Sequence, residues 1–252
     1  MQEFINLAVK FEKISEKGFI KGVNNSTNAV GYTFEKLLNK NADSMFFPDY
    51  LGIEIKCSQR YSRYPLSLFS LAFDGPYLYE TNRILQLYGK NDYCFHDKKT
   101  LIVELKVGKK ILVNDKYFFE LHLDYADKRM YLCVYNENKS LIEKISYIDF
   151  DTIKNRLQLK LNKLALIYAS KKEIDNNKYF RYYQLTLYKL KDFDTFLELL
   201  KDNTITAVLS CRVSRSGEET GRQRNKNLVF QIKKENLNYL FDEVYYINKD
   251  NI

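Results

Sequence analysis

The segment that most narrows the fold of this chain is Leu164-Ala165-Leu166-Ile167-Tyr168. Five apolar residues in a row are too short for a helix of about ten residues or more, and they lack the alternation of a half-solvated strand. They predict a strand buried on both faces, which other layers must cover. The sequence supplies such layers. Phe4, Leu7, Ala8, Phe11 and Ile14 recur at helical spacing and predict an amphipathic helix over 3–17, which Gly18 and Gly22 interrupt. Asn24–Asn28 is a polar loop with capping residues, and Val30–Asn39 predicts a second helix with Phe34, Leu37 and Leu38 inward. Phe150–Asn162 predicts a third, carried by Ile153, Leu157 and Leu161. The predicted class is α/β, with a mixed sheet flanked by helices.

Around that centre the pattern changes several times. Leu66–Phe69 alternates like a strand, Asp74-Gly75-Pro76 is a turn, and residues 77–99 read as an irregular, ligand-touching loop with Arg83 and Lys90. Leu101–Val103, Tyr117–Leu123, Met130–Tyr135 and Leu141–Tyr147, separated by Gly, Asn and Asp, predict an antiparallel meander. The polar residues 171–180 are the best boundary, giving lobes 1–172 and 173–252. The second lobe reads as strand 182–190, helix 193–201, strand 205–213, a loop, strand 228–232, helix 237–241 and strand 244–247.

Chemistry concentrates in Phe47-Pro48-Asp49-Tyr50-Leu51-Gly52-Ile53-Glu54-Ile55-Lys56. It reads as a tight turn feeding a strand, with Ile53 and Ile55 on one face and Glu54 and Lys56 on the other. Asp49 folds back across the Leu51-Gly52 turn to lie beside Glu54. Two adjacent carboxylates repel, and a divalent cation such as Mg²⁺ relieves that repulsion. With Lys56 adjacent, the grouping suits metal-assisted hydrolysis of a phosphodiester. Glu35, on the preceding helix, is either a third acid reaching this cluster or an exposed helix residue. The plainer reading of the whole motif is a solvated strand face with a weak ion pair. Glu104-Leu105-Lys106 is an internal control without the Pro-Asp step, and it reads as such a face.

Charge points to the partner. The net charge is +8, and 21 Tyr and 17 Phe accompany it, a combination suited to a polyanion. Arg60 and Arg63 lie in a polar loop over 57–64. Arg212, Arg215, Arg222, Arg224 and Lys226 oppose only Glu218 and Glu219 in a loop over 212–226. Arginine contacts guanine edges and phosphates alike, so these residues are DNA-contact candidates, and a solvated loop is the alternative. Cys57, Cys94, Cys133 and Cys211 show no metal-binding spacing, and His96 and His122 are far apart. No apolar run reaches the ~20 residues that span a bilayer, and no signal peptide begins the chain. A cytoplasmic protein with no membrane association is expected.

Asn28–Leu38, Pro48-Asp49, Gly52–Lys56 and Leu66–Phe69 together resemble the MvaI/BcnI restriction endonucleases, a branch of the PD-(D/E)xK nucleases related to the repair nickase MutH. The likeness is strongest over 28–70 and continues more weakly through 150–170, Ser216-Gly217 and Phe230–Ile232. It implies a PD-(D/E)xK core followed by a C-terminal α/β recognition lobe, so that 1–172 is catalytic and 173–252 reads DNA. It implies that Asp49, Glu54 and the Ile55 carbonyl bind Mg²⁺, with Mn²⁺ as a substitute, that Lys56 assists the attacking water, and that Glu35 is an auxiliary acid. The implied enzyme is a type II restriction endonuclease, a monomer that nicks the strands of duplex DNA in turn, with a cognate methyltransferase as genetic partner. The chain departs from the family's pattern around Ser214 and at Asn225–Phe230. A MutH-like nickase and a non-catalytic DNA-binding protein are the rival readings.

Overall fold

The computed structural model describes residues 1–39 and 47–250. In chain order they begin with α1 (Gln2–Ser15), β1 (Ile20–Lys21), α2 (Ala29–Leu37), β2 (Glu54–Gln59), β3 (Leu66–Leu71), α3 (Glu80–Tyr88) and β4 (Lys90–Asn91). There follow β5 (Lys99–Leu105), β6 (Ile111–Val113), β7 (Tyr117–Asp124), β8 (Arg129–Tyr135), β9 (Leu141–Asp149) and α4 (Phe150–Leu161). The chain ends with β10 (Lys163–Ile174), β11 (Asn177–Leu190), α5 (Phe193–Lys201), β12 (Ile205–Val213), β13 (Gln223–Ile232), α6 (Leu237–Leu240) and β14 (Phe241–Asn248). No described helix is long and apolar enough to cross a membrane.

These elements form two compact units that are interleaved in sequence. The first comprises Met1–Tyr64, Arg156–Asp192 and Leu237–Ile252, and the second Pro65–Asn155 and Phe193–Asn236. The expected cut at 172/173 falls inside β10. Residues 171–180 are a hairpin, because Asp175 and Asn176 both adopt positive φ (48° and 59°) and join β10 directly to β11. Positive φ at both central residues gives the two-residue turn that strand twist favours, and Asp and Asn tolerate it. A polar hairpin tip has the same composition as a linker.

The first unit is built on a five-stranded sheet in the order β1-β11-β10-β2, with β14 also paired to β11. The apolar run 164–168 lies in β10, between antiparallel β11 and parallel β2, as its composition demands. Leu164, Ala165, Leu166 and Ile167 are all buried. Phe4, Leu7, Ala8, Phe11 and Ile14 of α1 and Val30 and Phe34 of α2 share a core with Ile53, Ile55, Ala165, Ile167 and Tyr182. Phe34 meets Tyr182 edge-on at 5.0 Å, and the Tyr182 hydroxyl donates to the Val30 carbonyl at 2.7 Å. That bond ties α2 to the sheet.

The second unit contains a five-stranded sheet, β3-β13-β12-β5-β4, and a four-stranded antiparallel one, β6-β7-β8-β9. The expected meander is therefore β6 to β9, while β5 pairs with β12 instead. Phe196 of α5 packs ring to ring with Phe69 of β3 and Phe230 of β13, the three rings lying 4.9–5.8 Å apart. Residues 77–99 are not irregular as expected. They contain α3, whose Ile84, Leu85 and Tyr88 are buried; three inward apolar positions, with Leu87 exposed among them, do not stand out as a helical stripe. β2 continues to Gln59 by pairing with Ile167–Ala169, so the loop after it starts at Arg60. β12 and β13 likewise shorten the basic loop to 214–222.

Candidate active site

The turn before β2 brings the acids together. Tyr50 and Ile53 exchange backbone hydrogen bonds of 2.9 and 2.8 Å around Leu51 and Gly52, both at positive φ (47° and 78°). Such a two-residue turn needs left-handed backbone at both positions, which Gly adopts freely and Leu only under strain. Asp49 and Glu54 therefore flank the turn on opposite arms. Asp49 Oδ2 accepts a hydrogen bond from the Ile55 N–H at 2.9 Å. β2 is an edge strand of its sheet. Within a strand the N–H and C=O of one residue point to the same edge, so the Ile55 carbonyl is directed to the side where Asp49 lies.

Glu54 is the most confined of these groups, at 2% exposure. Its Oε1 meets Lys56 Nζ at 2.7 Å and Lys160 Nζ at 3.4 Å, while its buried Oε2 has no hydrogen-bond partner among the described residues. Burial pushes the Glu54 carboxyl above the ordinary carboxylate range; the Lys56 ammonium opposes this, the Asp49 charge reinforces it and Lys160 opposes it. A buried carboxylate with an orphaned oxygen beside a second acid fits a hard divalent cation, which takes oxygen ligands. The contrast with Glu104 is direct. Its side chain is 50% exposed and its contact with Lys106 is 3.9 Å, the solvated face expected of the second copy.

Glu35 lies on the preceding helix. It is half-buried on α2, and its charge is felt at the Cys57 thiol and the Tyr182 hydroxyl. Burial first, then Glu35 and Asp49, push the Cys57 thiol well up. Among the described residues no three His, Cys, Asp or Glu side chains gather as a metal-holding group.

Lys160 has no signature in the sequence. It lies on α4 and is 13% exposed. The parallel register pairs Leu164 with Glu54, so the end of α4, four residues earlier, arrives beside the start of β2. Nothing in the local pattern around 160 reveals that pairing.

The arginine candidates are mostly engaged. Arg60 pairs with Asp250 at 2.6 Å and stacks over Tyr183 and Tyr61, whereas Arg63 is exposed. Arg215 grips the buried Asp92 with two bonds of 2.8 and 2.6 Å and lies over Tyr93, so it anchors its loop. Arg222 and Arg224 both pair with Glu219. Arg212, opposite Arg224 across β12 and β13, donates to Ser210 Oγ at 2.9 Å. Lys226 lies in β13, with its side chain outside the described residues.

The family model described as the MvaI/BcnI restriction endonuclease family matches residues 8–241. A solved complex of restriction endonuclease MvaI with its cognate DNA substrate has the same fold, with a TM-score of 0.88 at 24% identity, over 97% of this chain and 98% of that one. MvaI solved without DNA gives a TM-score of 0.59 at 24% identity, over 98% of each chain. No curated protein matches.

Proposed function

The chain belongs to the MvaI/BcnI restriction endonuclease family, and from that premise we propose that it is a Mg²⁺-dependent type II enzyme that cuts duplex DNA as a monomer, one strand after the other. The observation that carries the reading is the buried Glu54 carboxylate, with one oxygen unpartnered, set across a two-residue turn from Asp49 and in contact with Lys56. Asp49, Glu54 and the Ile55 carbonyl would hold the cation, with Mn²⁺ as a substitute. When bound, it supplies activation of water and neutralisation of charge on the scissile phosphate.

The chain's own groups do the rest. Lys56, half-buried beside Glu54, either helps to deprotonate the attacking water or holds a phosphoryl oxygen as negative charge builds up. Glu35 acts from α2 as an auxiliary acid next to the cluster. All four residues lie in the first unit, which we assign to catalysis. The basic residues of β12, β13 and their connecting loop lie in the second, which we assign to DNA reading in place of a simple C-terminal lobe. Arg63, Arg212, Arg222 and Arg224 are the contact candidates, and Arg60 and Arg215 act through the segments they brace. We place the enzyme in the cytoplasm, with a cognate methyltransferase as genetic partner.

Purified protein is expected to cut a phage genome at mappable sites when Mg²⁺ is added. Asp49→Ala and Lys56→Ala are expected to abolish cleavage and to leave duplex binding in place. Plasmid nicking that persists in both variants overturns the assignment. Cleavage that stops at single-strand nicks favours the MutH-like reading instead.

A further inference from the structure

The face of the first unit's sheet that carries Glu54 and Lys56 extends well past them. In β10, Ala165, Ile167 and Ala169 belong to the core shared with α1 and α2, so Leu166, Tyr168, Ser170 and Lys172 point to the opposite face. Parallel pairing sets Glu54 beside Leu164 and Lys56 beside Leu166, which puts both on that opposite face. Antiparallel pairing sets Arg181 beside Ser170 and Tyr179 beside Lys172, while Phe180, beside Lys171, lies in the core. Arg60 continues the alternation of Glu54, Lys56 and Ser58. Its N–H donates to the Ala169 carbonyl at 3.1 Å, one residue past the end of β2.

The side chains at this end of the face touch in an unbroken row. Arg60 and Arg181 take one oxygen each of Asp250, at 2.6 and 3.2 Å. The Arg181 guanidinium lies 6.0 Å from the centre of the Phe19 ring, and Lys172 Nζ lies 4.3 Å from the same ring. Three cations therefore meet one acid in the row. Lys172 is exposed and has no carboxylate partner among the described residues. Glu173, next to it in sequence, turns instead to Lys171 at 3.0 Å, and Asp175 lies beyond the row at the hairpin tip. The hairpin itself is fixed. Lys178 Nζ donates to the Asn25 and Ser26 carbonyls at 2.8 and 3.1 Å, and Asn25 Nδ2 donates to the Asn176 carbonyl at 2.8 Å. Lys172 stands six residues beyond the position paired with Lys56. At a strand's rise that is about 20 Å, the length of about six base pairs of duplex DNA. A polyanion brought to Lys56 thus meets unneutralised positive charge on the same face at that distance.

We propose that Lys172 and Arg181, both lying against Phe19, bind backbone phosphates of the duplex about six base pairs from the cut. Contacts of this kind fix position and register without reading bases. Asp250, braced by Arg60, is the positioning residue that holds the Arg181 guanidinium in the row. The inference rests on the DNA-cutting reading above and adds to it an anchorage on the catalytic unit, away from the reacting step.

The test uses the full chain, Mg²⁺ and duplexes that carry its mapped cut site, shortened one base pair at a time from each end. On long duplexes Lys172→Ala is expected to raise KM about fivefold at low salt and to leave kcat unchanged, because the contact is the same before and during reaction. The dependence of log KM on log salt should flatten by about one, as for one lost phosphate contact. Lys172→Arg should behave as wild type, and thermal unfolding of both variants should not move, since the side chain is exposed. Wild-type KM should rise as a flank falls below about six base pairs from the cut, and for Lys172→Ala that rise should shrink. A Lys172→Ala variant with wild-type KM and salt dependence on long duplexes overturns the anchorage and leaves the nuclease reading standing. So does one for which trimming costs as much as it costs wild type. Wild-type protein that cuts no DNA defeats the nuclease reading, and the anchorage with it.

Discussion

Two lysines share one oxygen of Glu54, and removing them separately and together measures what holds that carboxylate in place. Lys56 Nζ is 2.7 Å and Lys160 Nζ 3.4 Å from Oε1. Attraction falls as the inverse of distance, so the longer contact keeps about four-fifths of the pull of the shorter one. Lys56→Met or Lys160→Met alone leaves one cation in range, and each is expected to cost about 1 kcal/mol. The double variant strands a buried carboxylate, which costs about 3–5 kcal/mol. The double therefore exceeds the sum of the singles by about 1–3 kcal/mol, a coupling that neighbours sharing one partner produce and distant sites do not. Urea unfolding with EDTA present, which keeps divalent cations out of the site, reads all four corners of the cycle. Singles whose costs add up to that of the double, or one single that costs as much as the double, would refute the idea of a shared oxygen.

Three further outcomes follow from local geometry. Tyr182→Phe removes the donor to the Val30 carbonyl inside the core and should cost about 1–3 kcal/mol in urea unfolding; no loss would mean that this bond does not hold α2. Iodoacetamide should modify Cys94 first, because it is exposed, while burial raises the Cys133 thiol to about 11, the Cys211 thiol to about 12 and Cys57 well above its ordinary value. Thiolate is the reactive form, so rapid labelling of Cys211 by mass spectrometry would contradict the packing of β12. Burial works against the Asp92 charge, but the N–H groups of Cys94 and Phe95 and the Arg215 guanidinium together hold its carboxyl below the usual range. A depressed carboxyl contributes stability that is present above its ordinary value and lost as pH falls through the lowered one. Arg215→Met should therefore flatten the acid limb of a melting-temperature profile, and an unchanged limb counts against the anchor.

How much of the molecule could be read from sequence depended on the span of chain over which each feature is specified. Helices α1 and α4 are specified by residues three and four apart, and Phe4 to Ile14 and Ile153 to Leu161 are buried as their spacing requires. The 164–168 run specifies a central strand by being apolar without alternation. Asp49, Glu54 and Lys56 are legible for the same reason, since a turn of two residues and a strand of period two place all three within eight positions. Arg215 was legible as a basic residue but not as an anchor, because Asp92 lies 123 positions away. The second unit's strands, β4 and β6 excepted, are legible one by one, but their grouping is not, β5 above all. Its partner β12 lies about a hundred residues on, and no pattern in Leu101–Val103 names that partner.

The same distinction explains the burial of Glu54. As a strand residue alternating with Ile53 and Ile55, it should face solvent, as Glu104 does beside Leu105. Both triplets have the same residue types and the same strand geometry. The difference is supplied from elsewhere: Asp49 folds back from the other side of the turn, and β10 arrives in parallel with Leu164 beside Glu54 and α4 above it. Those neighbours remove water from the carboxylate, and a carboxylate without water needs partners. Lys56 and Lys160 supply them for one oxygen only. The other is a buried acceptor without a hydrogen-bond partner among the described residues, and that burial, more than the order of letters in the motif, distinguishes the first triplet from the second.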